Sequence, residues 1–194
     1  MTDYADSAAR DGLRTIFLDR DGVLNEKMPE GRWVTSPDEF RVLPGVLEAI
    51  ARLNKAGLRV IVVSNQRGIA LGLFSAAEVL TIQTRFESLL EEREAHVDGF
   101  YFCPHDRLEC NCRKPLPGMF LQAKSEFPEI TAATSVMVGD SLADIEFGRR
   151  LGMLTVFIDG ETETQKPGAE AARKLADLRL RSLAEAVEEL LSRK

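Results

Sequence analysis

The sequence predicts an α/β fold of three layers: a central, mainly parallel sheet with helices on both faces. Three observations point to it. Apolar runs of strand length alternate with helix-period segments along the chain. The runs are continuous rather than alternating, as strands buried on both faces must be. Several of them stop abruptly on acidic or amide residues, where an open sheet of this kind binds its ligands.

The first run, Thr15-Ile16-Phe17-Leu18, ends at Asp19-Arg20-Asp21-Gly22 and reads as a strand entering a turn. Pro44 is expected to open a helix whose face is Val46, Leu47, Ile50 and Leu53, and Gly57 to close it. Arg59 to Val63 is a second strand ending at Ser64-Asn65. Ser75 and Glu78 form a capping box at the head of a long helix. Gly99 to Phe102 reads as a third strand and Pro117 to Phe127 as a helix. Ser135 to Val138 is a fourth strand, followed by a helix from Gly139-Asp140 to Leu151. Leu154 to Phe157 is a fifth strand, Leu178 to Leu180 a short sixth, and Ser182 to Leu191 the last helix. Glu161 to Lys174 is compatible with loop or helix. The expected organisation is a flexible leader over 1–12 and one domain over 13–194.

The 194 residues carry a formal charge of −6, with 44% apolar and 29% charged side chains. An acidic balance argues against nucleic acid as a partner, although a few local cations suffice for a small phosphorylated molecule. No apolar run reaches the ~18–20 residues needed to span a bilayer. Met1 to Gly12 lacks the basic-then-apolar order of a secretion signal. A cytoplasmic monomer with no membrane partner is expected.

The chemistry gathers at the strand ends. Asp19 and Asp21, at i and i+2, leave the chain on one side. Ser64 and Asn65 offer a hydroxyl and an amide, Lys114 an ammonium, and Asp140 and Asp144 two carboxylates one helical turn apart. Phosphoryl transfer needs a nucleophile, a proton donor and positive charge around the phosphorus. Carboxylates converging on one sheet edge would repel one another without a cation such as magnesium. Taken singly, each motif reads equally well as a strand terminator or a helix cap. Four at successive strand ends do not.

DRDGVLN (19–25), SNQ (64–66), RKP (113–115) and GDSLAD (139–144) resemble the four motifs of the haloacid dehalogenase (HAD) superfamily, over roughly Thr15 to Gly160. The resemblance implies a Rossmann-like core and makes Asp19 the nucleophile. Asp21 becomes the acid that protonates the leaving alkoxide and then the base that activates water. Ser64 and Asn65 hold the phosphoryl group, and Lys114 bridges it to Asp19. Magnesium is held by the carboxylates of Asp19 and Asp140 and by the main-chain carbonyl of Asp21, with Asp144 supporting the metal site.

All three cysteines and one of the two histidines lie in Cys103-Pro-His105-x4-Cys110-Asn-Cys112. Three thiolates and an imidazole make a closed tetrahedral set for structural zinc, though buried thiols or a redox pair would use the same residues. The segment is similar to the zinc loop of the subfamily of heptose-bisphosphate and histidinol-phosphate phosphatases, and runs directly into Arg113 and Lys114. His96 reads as a surface residue.

About twenty residues separate Asn25 from Pro44, too few for a large cap domain. Selectivity is therefore expected from three loops: Glu26–Pro37, Gln66–Phe74 and the cysteine loop. Trp33 either stacks on a substrate or plugs its own loop. The first two loops resemble those of the heptose phosphatases, which implies a sugar bisphosphate, with Arg113 and then Arg67 as candidates for its second phosphate. Leu71 stands where those enzymes commonly have arginine, and Ser141 where many have lysine. Histidinol phosphate and other small phosphate esters remain the alternatives. A mutase would need a closing cap, and a DNA 3′-phosphatase a basic surface. A non-catalytic binding module would have no use for Asp19, Asp21, Lys114 and Asp140 together.

Overall fold

The computed structural model describes residues 12–29, 31–107, 109–160 and 167–192. Six parallel strands form one sheet: β1 (Thr15–Leu18), β2 (Arg59–Asn65), β3 (Gly99–Cys103), β4 (Ser135–Gly139), β5 (Leu154–Ile158) and β6 (Leu178–Leu180), in the order β3-β2-β1-β4-β5-β6. Every expected strand is present. The register sets Ile16 beside Val60 and Val136, and Phe17 beside Ile61 and Met137. Because side chains alternate along a strand, this register builds two separate apolar layers.

Ile16, Leu18, Val60, Val62, Val136, Val138 and Val156 face one layer. It is covered by α1 (Val46–Lys55), α2 (Ala76–Glu91) and α6 (Leu183–Ser192) through Ile50, Leu53, Ile82, Phe86, Val187 and Leu190. Phe17, Ile61, Val63 and Met137 face the other, under α3 (Gly118–Glu126) and α4 (Leu142–Leu151), with Met119, Phe120 and Phe147. Phe86 is fully buried against Phe40, rings 5.4 Å apart; truncation to alanine costs about 3–5 kcal/mol. The remaining α-helix, α5 (Ala169–Leu175), buries Ala169 and Ala172 beside Phe157. It resolves part of the ambiguous 161–174 stretch as helix, while 161–166 and the expected leader up to residue 11 lie outside the described residues.

Two helix starts differ from expectation. Pro44 and Gly45 form a turn, with the Val46 N–H on the Leu43 carbonyl, and the helix begins after Gly45 at φ 76°. A proline and a left-handed glycine in succession cannot share one helical turn. Pro117 likewise caps α3 rather than opening it. Short 3-10 turns at Pro37–Glu39 and Ala132–Thr134, too brief for a periodic signal, also occur. The Ser75–Glu78 capping box is present, with the Glu78 N–H on Ser75 Oγ and the Ser75 N–H on Glu78 Oε2.

Among the described residues between Asn25 and α1 the chain forms a loop and one 3-10 turn, pinned by the Glu26 N–H on the Arg41 carbonyl and the Leu43 N–H on that of Leu24. The carboxyl ends of β1 and β4 therefore stand uncapped. They lie at the sheet's switch point, where successive connections leave in opposite directions and open a crevice.

Candidate active site at the sheet switch point

The Asp19 N–H continues the β1–β4 ladder onto the Val138 carbonyl at 2.9 Å, which places its carboxylate at the switch point. Lys114 Nζ meets Asp19 Oδ1 at 2.8 Å, Asp144 Oδ1 at 2.6 Å and the Val63 carbonyl at 2.7 Å. These side chains are 7%, 1% and 2% exposed for Asp19, Asp144 and Lys114 respectively. Burial on its own would discharge such a lysine. Against that, the charges of Asp144 and Asp19 and their hydrogen bonds win, and the net shift of its pKa is upward. Lys114 is a fixed ammonium, held one hydrogen bond from Asp19.

Asp144 is spoken for on its other side as well. Ser141 Oγ donates to Asp144 Oδ2 at 2.5 Å and the Ser141 N–H donates at 3.0 Å. The carboxylate thus heads α4 and grips Lys114 at once. Its support of the centre runs through the lysine.

Asp21 takes two hydrogen bonds at 2.9 Å from Arg20 Nη2, one at 3.0 Å from Asn25 Nδ2 and one at 3.0 Å from Gln66 Nε2. Burial raises its pKa, but the Arg20 charge and these donors outweigh it, so the carboxyl is held below its usual range. In this arrangement it is an ionised carboxylate. Arg20, Asn25 and Gln66 are themselves buried, and none had a role assigned from sequence. Arg20 sits between two aspartates in a turn, a setting that gives no signal of burial. Asn25 and Gln66 lie within the quoted motifs, which was the available signal.

Two expected phosphate ligands are engaged elsewhere. Ser64 Oγ accepts from Gln66 Nε2 at 2.7 Å. Asn65 bonds the main chain of Lys114 in both directions, Nδ2 to its carbonyl at 3.1 Å and its N–H to Oδ1 at 3.0 Å. In this structure the Asn65 side-chain amide is occupied by the main chain of Lys114. Its two polar atoms fix the lysine-bearing loop, a long-range pairing that motif spacing does not encode.

Gly22, at φ 98°, passes so near Asp140 that a Cβ would lie 2.3 Å from Oδ2. Lys27 Nζ reaches the same oxygen at 2.6 Å. Carboxylate oxygens of Asp19, Asp140 and Asp144 lie within 4.8 Å of one another, and these three acids face the two ammonium groups of Lys27 and Lys114. Hard oxygen donors carrying excess negative charge suit magnesium.

The cysteine loop forms a second cluster. Cys103 Sγ is 3.5 Å from Cys110 Sγ, which is 3.3 Å from Cys112 Sγ, and His105 Nδ1 is 3.3 Å from Cys112 and 3.8 Å from Cys103. All four donor atoms lie within 4.8 Å of one another, and a tetrahedral zinc with sulfur about 2.3 Å from its centre would have edges of about 3.8 Å. The loop is tied to β2 by the Gln66 N–H on the Cys103 carbonyl, and to α3 by the Gly118 N–H on that of Asn111. A Cβ at Gly118 would strike Asn111 at 2.6 Å. Arg67 pairs with Asp106 of this loop through Nε at 2.5 Å and Nη2 at 3.3 Å. Arg113 is half-buried, and its Nη1 is buried without a hydrogen-bond partner. Burial lowers its pKa, the charges of Arg107 and Arg67 add to this, and Cys103 and Asp106 oppose it. His96 is exposed, as expected.

This fold and this constellation define a class, and comparison agrees. The profile of haloacid dehalogenase-like hydrolases matches residues 30–152, and the chain belongs to that family of hydrolases. It is 38% identical over 178 residues to the D-glycero-beta-D-manno-heptose-1,7-bisphosphate 7-phosphatase of Escherichia coli O6:H1, covering 88% of this chain and 90% of that one. The enzyme of the same name from Pasteurella multocida is 37% identical over 179 residues, 89% and 94% of the two chains. The crystal structure of D,D-heptose 1,7-bisphosphate phosphatase from B. bronchiseptica, complexed with magnesium and phosphate, superposes with a TM-score of 0.82 at 34% identity, covering 94% of this chain and all (100%) of that one. No helix among the described residues is long and apolar enough to cross a membrane.

Proposed function

We propose that the chain is a magnesium-dependent phosphatase of the cytoplasm that removes the 7-phosphate of D-glycero-D-manno-heptose 1,7-bisphosphate, by way of a phosphoryl group carried on Asp19. The observation that carries the chemistry is Lys114, a buried ammonium bonded to Asp19 and locked by Asp144 and the Val63 carbonyl. It supplies positive charge where a phosphoryl oxygen would bridge to the nucleophile. The substrate rests on the similarity to the heptose enzymes.

An Asp19 carboxylate oxygen attacks phosphorus, the phosphorus–oxygen bond to the sugar breaks, and the departing alkoxide takes a proton from Asp21. Water then attacks the phosphorylated Asp19, giving its proton back to Asp21 and releasing inorganic phosphate. The base half of this cycle matches Asp21 as Arg20, Asn25 and Gln66 hold it. The acid half requires a proton on Asp21 and its release from Arg20. Magnesium, held by Asp19, Asp140 and the Asp21 main-chain carbonyl, supplies further positive charge to the phosphoryl oxygens. Zinc on Cys103, His105, Cys110 and Cys112 keeps Arg113 and Lys114 in place.

For the distal phosphate, Arg113 is favoured over Arg67, whose guanidinium is already bound to Asp106. A guanidinium engages phosphate oxygens in a bidentate way. Phosphate release should be measured on heptose 1,7-bisphosphate, histidinol phosphate and other phosphate esters. The bisphosphate is expected to have the highest kcat/KM, Asp19→Asn to lose at least ~10³-fold, and Arg113→Ala to hurt the bisphosphate far more than histidinol phosphate. A preference for histidinol phosphate overturns the substrate. Turnover surviving in Asp19→Asn overturns the chemistry.

A further inference from the structure

Lys27 was not singled out by any motif, yet its ammonium donates to Asp140 Oδ2 at 2.6 Å. Its ammonium comes from the loop after β1, 113 residues away in sequence. The base of that loop is rigid. Asn25 is fully buried, bonded through Nδ2 to Asp21 and to the Glu26 carbonyl, and bridged to Val42. Lys27 itself is only 13% exposed, so the contact is not that of a waving surface lysine. The neighbour of Asp140 in sequence cannot serve instead, because the Ser141 hydroxyl is committed to Asp144.

We infer that Lys27 is a positioning residue that shares the Asp140 carboxylate with the divalent cation and fixes the charge of the pocket. It keeps the three carboxylates from being balanced by Lys114 alone before a divalent ion binds. The consequence has two opposite signs. A fixed cation beside a metal-binding carboxylate weakens the hold on a divalent cation, and the same charge strengthens the hold on a phosphoryl anion. Lys27 thereby supplies, from the first loop, a cation that position 141 lacks. This deepens the reading of the pocket as a phosphoryl site.

Lys27→Met tests it in two binding measurements that need no turnover. In calorimetric titration of the zinc-loaded, magnesium-free protein, Mg2+ should bind about five- to tenfold tighter than in the unaltered chain. At saturating Mg2+, inorganic phosphate should bind about five- to tenfold more weakly, the scale of one unit charge a few ångströms away in a partly screened site. Lys27→Arg should restore both values. Lys27→Gln, nearly isosteric and neutral, should repeat the Met result, and circular dichroism of both neutral variants checks that they are folded. A merely structural lysine would weaken both ligands together. Mg2+ affinity that is unchanged within about twofold, or weakened, in the folded neutral variants overturns the inference; unchanged phosphate affinity overturns its anion half. If instead the unaltered chain hydrolyses no phosphate ester while the Mg2+ shift holds, it is the phosphatase reading that fails.

Discussion

Asp144→Asn removes a charge from the least exposed ion pair among the described residues. Asp144 and Lys114 are 2.6 Å apart, with side chains 1% and 2% exposed. Breaking a buried pair by neutralising one partner costs about 3–5 kcal/mol, because the survivor stays charged in a poorly solvated place. Lys114 keeps Asp19 and the Val63 carbonyl, and an asparagine oxygen can still accept the Ser141 N–H. The lower end, ~3 kcal/mol, is therefore expected. For a chain of this size each kcal/mol moves Tm by about 2–4 °C, so Tm should fall by about 6–12 °C in a circular-dichroism melt. Asp144→Ala should fall about 1 kcal/mol further, since the cap of α4 is lost too. In both, kcat should drop ~10- to 100-fold while Mg2+ still binds, because Asp144 acts through Lys114. A Tm within ~2 °C of the unaltered chain, or unchanged kcat in Asp144→Asn, refutes the claim that Asp144 holds the lysine.

Two further outcomes follow from the metal loop and from the far edge of the sheet. Protein purified under reducing conditions without chelator should retain about one zinc per chain by mass-spectrometric metal analysis while exchanging magnesium freely; Cys112→Ala should lose the zinc, melt at least ~5 °C lower and turn over more slowly as Arg113 and Lys114 shift. Less than about one zinc per ten chains sinks that reading. Asp159 accepts from Arg173 at 2.9 and 2.7 Å, which, with Arg179 and against a smaller opposing effect of burial, holds its carboxyl below the usual range. A depressed carboxylate stabilises above its unfolded pKa of about 3.9 and loses that stabilisation as pH falls through the folded value. The urea midpoint of the unaltered chain should thus exceed that of Asp159→Asn at pH 7, and the gap should close as the pH falls below the unfolded pKa of about 3.9 and through the lower folded value. A gap that does not change with pH refutes the pairing.

What could be read without the structure was what is local in the chain. Asp19 and Asp21 share a turn, Ser75 and Glu78 share a cap, and the cysteines share a loop, so spacing alone reports their neighbours. The strands were legible because a buried parallel strand is a continuous apolar run. The missed features depend on where loops fold back. The amide of Asn65 could be assigned to Lys114 only once β2 and the cysteine loop lay side by side. Arg67 read as the second candidate for the distal phosphate, and its pairing with Asp106 across 39 residues gave no signal in the sequence. Lys27, in a loop without periodicity, gave no signal at all. The error at Pro44 was of another kind: the proline rule marks a helix boundary to within a residue or two, and Gly45 shifted it.

The moorings of the cysteine loop bear on how this chain tolerates change in length. The loop is tied at Cys103 through Gln66 and at Asn111 through Gly118, and Asn65 holds the main chain of Lys114 just beyond. A residue inserted after Asn111 would push Cys112 and the lysine out of step with those ties together. Arg107 and Glu109 are exposed, and Asp106 beside them is tied to Arg67. An insertion next to Arg107 is expected to leave both moorings in place. Drift in the length of this loop is thus expected to be confined to its exposed turn, while the ties that hold Cys112 and Lys114 in step stay the same.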